Sequence, residues 1–600
     1  MSQSILNRPT EQKTTAPPER ALAAFIGAAV GDALGWPFEG RAAGKLDGRE
    51  WKGQFLDWKK RSGSRFSPRW ERIDAGSYSD DTQLILAVAR ARLAGQPWWE
   101  HFAHVELPFW TCYERGGGGA TKRAANSWLA GVAPWDSTAK EVPKRYFEAG
   151  GNGAAMRVLP HCVAHARDDN FSALAQDILA DGVTTHGHPR ALVGALAFGY
   201  VLWNVFKRVD TLDYGSLLHR CIEDASIWGA LPDISRQWPS WLQAAQTHAR
   251  DFKELWLVTV GETTSLCRHA MEGLEAGVLS DDSQVMKELG GLNSRTNGAG
   301  TTTAIAALYY ASRYAASPLE GMLRAASAEG ADTDTLASMT ATVLGVINGP
   351  SWLESYEHKL QDADYIRQTA QQLVFMRKAT APCMQTTKRD LTELKDLLGD
   401  NLAPPGLSLP IGLRVTSVEH RQEQQDERVV ETHVVSTEAG LTLFIPGGTG
   451  KRGGTRGRIA QKAERIEPAG LEENLSYSDI GFEPAVGISL LVRDLSKSRI
   501  FYEDLLGLKV TGVSQRVVRF SSTLALREDA SAPPSCEGVK LFVNVPDVSS
   551  CSGRLTKAGF ESSEIVVRGN TRSFECRDPS GYTIEVFERL GVRKKNRESR

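Results

Sequence analysis

The chain has 600 residues, 41% of them apolar and 24% charged, with a formal net charge of −2. That length exceeds what one hydrophobic core supports and calls for two or three domains, while the near-neutral balance excludes a global pull toward nucleic acid or membrane. The 8 cysteines include no Cys-x-x-Cys pair, which argues against a zinc ribbon and a disulfide framework and suits a reducing, cytoplasmic setting.

Residues 1–20 are polar and proline-containing, without the apolar core of a signal peptide, and read as a disordered leader. No run of about 18 uninterrupted apolar residues follows, so no bilayer span is expected. Across 21–378 apolar residues recur at helical spacing, as in 82–93, 191–206, 303–314 and 336–347, and strand-like alternation is scarce. This predicts an all-α domain. Trp98, Trp99, Trp110, Trp128 and Trp135 read as core and cleft wall, because no basic stripe accompanies them.

Two acidic clusters stand out within this domain, Ser79-Asp80-Asp81-Thr82 and Asp332-Thr333-Asp334-Thr335. Each offers carboxylates and a hydroxyl, an all-oxygen set suited to a hard divalent cation. Carboxylates gathered in one place repel and raise one another's pKa unless a cation neutralises them. Each cluster alone also reads as a helix N-cap ahead of an apolar run. Glu39, two residues after Pro37, reads as a loop glutamate. The glycine-rich run 150–153 permits turns that aim backbone amides at an anion, and 116–119 reads as a flexible loop at the cleft rim.

Residues 387–398 form a short amphipathic helix, broken by Ala403-Pro404-Pro405-Gly406, and 379–410 reads as helix plus linker. In 411–481 the stretches 413–418, 429–435 and 441–445 read as strands. Three strands are few for a core of their own, so this small β-rich segment is expected to lean on a neighbour. Residues 451–462 hold five basic residues and no acid. They are a solvated linker or a weak phosphate or nucleic-acid contact, and the basic tail 591–600 is read the same way. From 482 to 590 a strand–helix–strands pattern occurs twice, an α+β unit.

Five motifs in order, Gly31-Asp32-Ala33-Leu34-Gly35 through Glu39, Ser79-Asp80-Asp81-Thr82, Gly151-Asn152-Gly153, Thr185-His186-Gly187-His188-Pro189 and Gly330-Ala331-Asp332-Thr333-Asp334-Thr335, resemble the ADP-ribosylglycohydrolase family, which includes the dinitrogenase-reductase-activating glycohydrolases. The resemblance implies a helical fold with a central cleft. It implies that Ser79, Asp80, Asp81, Asp332, Asp334 and Thr335 ligate two Mg²⁺ or Mn²⁺ ions, with Asp81 and Asp334 also serving catalysis and Glu39 as base or water-orienting group. Gly151, Asn152, Gly153 and His186 would contact ADP-ribose, whereas Arg157 braces the fold and His188 shapes a loop. Ala331 stands where the family has a second glycine, a change that removes no oxygen donor. The implied activity is metal-dependent hydrolysis of the glycosidic bond between ADP-ribose and an ADP-ribosylated protein, nucleic acid or small molecule, with ADP-ribose as product.

The repeated pattern in 482–590 resembles the glyoxalase/bleomycin-resistance group of paired βαβββ modules. The metal-ligand positions of that group fall on Gly487, Ala525, Lys540 and Glu585, of which Glu585 alone can ligate, so a metal-free accessory or ligand-binding domain is expected. Two alternatives remain: an inactive ADP-ribose-binding protein, and a resistance protein that sequesters a small molecule through the C-terminal domain.

Overall fold

A computed structural model describes residues 15–447 and 488–589, apart from 40–44, 47–48, 65–66, 209–211, 250, 278–279, 377–384, 400–404 and 426–427 in the first stretch and 493, 507, 509, 515–516, 521–523, 529–539, 546, 569–570 and 580–582 in the second. The basic loop 451–462, the tail 591–600, the leader up to residue 14, and Gly487 lie outside the described residues. The chain divides into two compact units, Met1–Ala460 and Gln461–Arg600.

The first unit is built on helices. Those that matter here are α1 (Pro18–Gly35), α2 (Asp80–Ala94), α3 (Gly119–Leu129), α4 (Pro189–Lys207), α5 (Phe252–Glu275), α6 (Gly300–Arg313), α7 (Thr333–Asn348), α8 (Ala363–Val374) and α9 (Lys388–Gly399). Helix α1 starts before the expected domain boundary at 21. Pro18 sits at its first turn with φ preset for a helix, Glu19 complements the helix dipole there, and Thr15 N–H already bonds Val374 O at 2.8 Å. The disordered leader therefore does not extend through residues 15–20. Both α1 and α4 are long and apolar enough to cross a membrane, but they are buried inside the unit and serve as its core.

Helices α1 and α7 touch backbone to backbone. Gly27, Gly31 and Gly35 recur every four residues and so share one face of α1. A Cβ on them would meet Ala341 O at 2.6 Å, Ala337 O at 2.3 Å and Thr333 O at 2.2 Å. Gly345 of α7 repeats the device against Ala23 O at 2.4 Å. The glycine stripe lets the start of α7 dock beside the end of α1, where Thr333 Oγ1 donates to Gly35 O at 2.9 Å.

One feature of the helical region was absent from the sequence reading, an antiparallel hairpin of β1 (Trp58–Ser64) and β2 (Ser67–Ile73). Its sequence, rich in Lys and Arg, carries no apolar alternation. Trp58 anchors it edge-on to Trp36, ring centroids 5.2 Å apart.

The segment after α9 forms an antiparallel sheet of β3 (Val415–Gln425), β4 (Arg428–Thr437) and β5 (Thr442–Pro446), in that order. Val415, Val435, Leu443 and Ile445 join the same core as the helices. Arg421 pairs with Asp74 at 2.6 Å, and Asp362, held by Tyr78 OH at 2.7 Å, accepts from Thr442 N–H at 3.1 Å. The sheet thus belongs to the helical unit.

The second unit contains β6 (Ile488–Val492), α10 (Leu495–Ile500), β7 (Val510–Ser514), β8 (Val517–Phe520) and β9 (Leu524–Glu528), then β10 (Lys540–Asn544), α11 (Val548–Lys557), β11 (Val566–Arg568), β12 (Thr571–Arg577) and β13 (Thr583–Arg589). In each module the first strand pairs in parallel with the last, β6 with β9 and β10 with β13, and the remaining strands add antiparallel. This is the paired βαβββ arrangement. Phe501, Tyr502, Phe574, Ile584 and Val586 give the unit a core of its own.

Candidate active site

Helix α1 organises the site. Asp32, fully buried, accepts from Ser79 N–H at 2.9 Å, Thr82 N–H at 3.0 Å and Thr82 Oγ1–H at 2.6 Å. One carboxylate therefore pins the first turn of α2, while the glycines one residue before and three after it admit α7. Both acidic clusters are brought to the same end of α1. Thr335 Oγ1 of α7 donates to Asp81 Oδ2 of α2 at 3.2 Å, a direct bond between the two. Asp32 stood in the first sequence motif but was given no role there; the available signal was a lone acid in the alanine-rich run of α1.

The helix-capping reading fits one cluster and fails for the other. Ser79 caps α2, accepting from Asp81 N–H at 3.3 Å. Asp332 occupies the N-cap position of α7, yet its side chain makes no capping bond. Its Oδ2 instead accepts from Asn152 Nδ2 at 2.9 Å. Asp334 Oδ1 takes the Thr335 N–H at 2.9 Å. Asp81 Oδ1 is buried without any hydrogen-bond partner, an orphan acceptor.

These acids are crowded. Burial pushes the Asp80 and Asp81 carboxyls well above the usual range, and Asp334 adds to both. Burial, then Asp334, raises Asp332 likewise, and burial with Asp334 pushes Asp32 up to about 7. Bound divalent cations would reverse this balance by supplying the missing positive charge. Oxygen donors alone, an orphan carboxylate oxygen and uncompensated negative charge together fit hard cations such as Mg²⁺ or Mn²⁺. Among the described residues, donor atoms of His420, Glu431 and His433 in the small sheet also lie within 4.8 Å of one another.

The glycine-rich loop adjoins the acids. Asn152, besides holding Asp332, donates from its backbone N–H to Gly298 O at 2.9 Å, and Gly300 N–H bonds Gly150 O at 3.0 Å. A Cβ on Gly153 would meet His186 Cε1 at 2.8 Å, and one on Gly151 would lie 3.6 Å from His186 Nε2. Gly151, Asn152, Gly153 and His186 thus form one wall. His186 Nδ1 lies 2.8 Å from Thr185 Oγ1. Burial, reinforced by Arg157 and Arg123, drops its pKa to about 3, so the ring is neutral. Arg157, fully buried, binds Asp181 at 3.1 Å, Gly153 O at 2.6 Å and Thr185 Oγ1 at 2.9 Å. It locks the glycine loop to the histidine loop. His188 caps α4 through Arg190 N–H.

At the rim Glu39 is exposed, and its carboxyl is raised to about 7, first by the charge of Asp334 and then by desolvation. Lys60, from the hairpin, counters that push and lies 4.8 Å over the Trp36 ring. Gly116 turns with φ 105° so close to the acids that a Cβ would sit 3.1 Å from Asp80 Oδ1 and 3.2 Å from Lys60 Nζ. Beside His186, at the first turns of α3, a cavity of about 500 Å³ is lined by Lys122, Arg123, Arg145, Tyr146 and Thr185. Lys60 and this cavity were not named from sequence, and Trp36 stood in the first motif without a role.

The sequence model of the ADP-ribosylglycohydrolase family matches residues 13–382. The chain belongs to that family. The model of the Glyoxalase/Bleomycin resistance protein/Dioxygenase superfamily matches residues 486–586. The chain is similar to the ADP-ribosyl-[dinitrogen reductase] glycohydrolase of Rhodospirillum rubrum, 29% identical over 211 residues, which covers 35% of this chain and 63% of that protein. The match thus spans less than two thirds of the curated relative. Among solved structures it aligns with an ADP-ribosylglycohydrolase-related protein complex at 20% identity and a TM-score of 0.39, covering 60% of this chain and 98% of that one. A glyoxalase/dioxygenase from Nostoc punctiforme aligns at 20% identity and a TM-score of 0.17, covering 20% of this chain and 100% of its own.

Proposed function

We propose that the helical unit is a metal-dependent hydrolase of the glycosidic bond joining ADP-ribose to an acceptor. The observation that carries the reading is the meeting of two acidic clusters through Thr335 and Asp81 around an unpartnered Asp81 oxygen, in a chain of this family. Ser79, Asp80, Asp81, Asp332, Asp334 and Thr335 would hold two divalent cations, Mg²⁺ or Mn²⁺. When bound, these ions supply Lewis acidity and a water of lowered pKa.

The remaining roles fall to this chain's own residues. Asn152 fixes the Asp332 carboxylate and carries the glycine loop up to the acids. Neutral His186 offers a hydrogen bond to a sugar or phosphate oxygen and adds no positive charge beside the cations. Lys122, Arg123 and Arg145 around the adjoining cavity suit a diphosphate, which prefers charge-assisted donors. Glu39, facing the cluster from the rim, orients water or takes its proton, and the buried carboxylates favour the oxocarbenium-like charge that builds as the bond breaks. We assign the C-terminal unit to ligand or acceptor recognition. Because β3–β5 share the helical core, its removal is to be tested by cutting after residue 460.

The test is release of free ADP-ribose from a panel of ADP-ribosylated proteins, nucleic acids and small molecules, with Mg²⁺ or Mn²⁺ and with chelator. Release that needs metal and disappears in Asp81→Asn supports the reading, and the panel names the acceptor. Metal-independent release, or tight ADP-ribose binding without release from any member, overturns it.

A further inference from the structure

The geometry points to a second metal site, in the small sheet, for a borderline divalent cation of the Zn²⁺ class held by His420, His433 and Glu431. His420 of β3 and His433 of β4 are directly opposite across the ladder, and Glu431, two residues before His433, lies opposite Gln422. Strand periodicity places all three side chains on one face. The donor atoms lie within 4.8 Å of one another.

Their spacing suits one ion. Four ligands about 2.0–2.1 Å from a tetrahedral Zn²⁺ stand about 3.3 Å from each other. Here the two Nδ1 atoms are 3.0 Å apart and His420 Nδ1 is 3.7 Å from Glu431 Oε1, values on either side of that edge. Two imidazole nitrogens and a carboxylate make the mixed set that Zn²⁺ accepts and Mg²⁺ does not favour. Three protein donors leave the fourth position to water.

Without a cation the pair is poorly served. Two neutral rings facing through Nδ1 share a single proton. Whichever ring supplies it, His420 Nε2 remains buried with no partner, as a bare lone pair or as an unmet N–H. Protonating both rings would set two positive charges 3.0 Å apart. His433 is itself buried and opposite Ile445 of β5, and Gln422 Nε2 on the same face donates to Glu431 Oε1 at 3.4 Å. A cation lets both Nδ1 lone pairs point at one centre and partners the Glu431 charge. The site is separate from the oxygen cluster, but its sheet carries Arg421, bound to Asp74, and Phe444, whose ring lies 4.0 Å under Arg115. Arg115 in turn faces Trp36 at 5.6 Å.

The test uses the full-length chain, stripped with chelator, refilled with excess Mg²⁺ to occupy the oxygen cluster, exposed to Zn²⁺ and passed through gel filtration. A single equivalent of Zn²⁺ is expected to stay bound in wild type and in Asp81→Asn, and to raise the melting temperature of both. With Co²⁺ in place of Zn²⁺, the intense visible bands of a tetrahedral nitrogen-containing site are expected. His420→Gln should lose the metal. Should that variant fold poorly, Glu431→Gln, with a side chain 25% exposed, carries the same test and should weaken Zn²⁺ binding on the order of tenfold or more. Zn²⁺ absent from wild type, or retained equally by His420→Gln and Glu431→Gln, overturns the assignment and leaves a hydrogen-bonded histidine pair.

Discussion

Replacing Gly31 by alanine tests the link between packing and site. The new Cβ would lie 2.3 Å from Ala337 O, 2.6 Å from its carbon and 2.9 Å from Ser338 N. An ordinary carbon–oxygen contact is about 3.3 Å, so α7 must recede by about 1 Å. All three atoms are backbone and no rotamer change relieves the clash. Alanine gains about 1 kcal/mol of helix propensity, against an overpacking cost of about 3 kcal/mol or more where no side chain can yield, which leaves a net loss of about 2 kcal/mol. The same recession shifts Asp332 and Asp334 relative to Asp80 and Asp81, and a displacement of about 1 Å in a positioned group costs on the order of 100-fold in function. All 15 tryptophans precede residue 353, so urea unfolding followed by tryptophan fluorescence reports the helical unit alone. Mn²⁺ titration calorimetry reads the site. Gly261→Ala in α5, where a Cβ meets nothing within 4 Å, is the control and should gain about 0.5–1 kcal/mol. A Gly31→Ala protein as stable as wild type, with unchanged Mn²⁺ affinity, would refute the reasoning.

Asp332→Asn keeps an acceptor for Asn152 and removes a charge from a crowded cluster. Metal-free stability should hold or rise while the stabilisation by Mn²⁺ disappears, whereas a lost cap would cost about 0.5–2 kcal/mol without metal. Arg157→Leu leaves buried Asp181 with only His161, at 3.3 Å, as a side-chain partner and should destabilise by about 3–5 kcal/mol; Arg157→Leu with Asp181→Leu should recover part of it, as read by the same urea curves. His186 has a folded pKa of about 3, below its ordinary value of 6.5, so the unfolded chain takes up a proton that the fold refuses. Its contribution to stability is complete above pH 6.5 and is lost as pH falls toward 3. His186→Asn should flatten the stability profile between about pH 6.5 and 5, and a slope unchanged from wild type would count against a buried neutral ring.

The helices were legible because their apolar residues recur with the helical period over many turns, and observed ends differ from expected ones by only a few residues. In α4 the expected start at 191 moves to Pro189, since proline at the first turn extends a helix backward. The paired modules of the second unit were legible because each repeats a strand, a helix and further strands in the same order. What escaped depends on partners distant in sequence. The stripe of Gly27, Gly31 and Gly35 means close approach only once α7 is known to lie against it. The hairpin of β1 and β2 is held by Trp36 and Trp58 rather than by a pattern of its own. The triad of His420, Glu431 and His433 exists only in the register that sets His420 opposite His433, and a slip of one residue would send one histidine to the other face.

The acidic clusters show how two readings of the same residues separate. A capping residue spends its carboxylate or hydroxyl on the amides of its own helix, and Ser79 does so. Asp332 leaves its own helix uncapped and reaches instead to Asn152, on a loop that comes from elsewhere in the chain. Asp81 leaves one oxygen with nothing to accept, in a fold where Asp32 of α1 accepts three hydrogen bonds. Stability alone would favour the opposite arrangement, with each acid satisfied and the charges apart. The fold instead brings the carboxylates together at the end of α1 and leaves the compensation to something that binds.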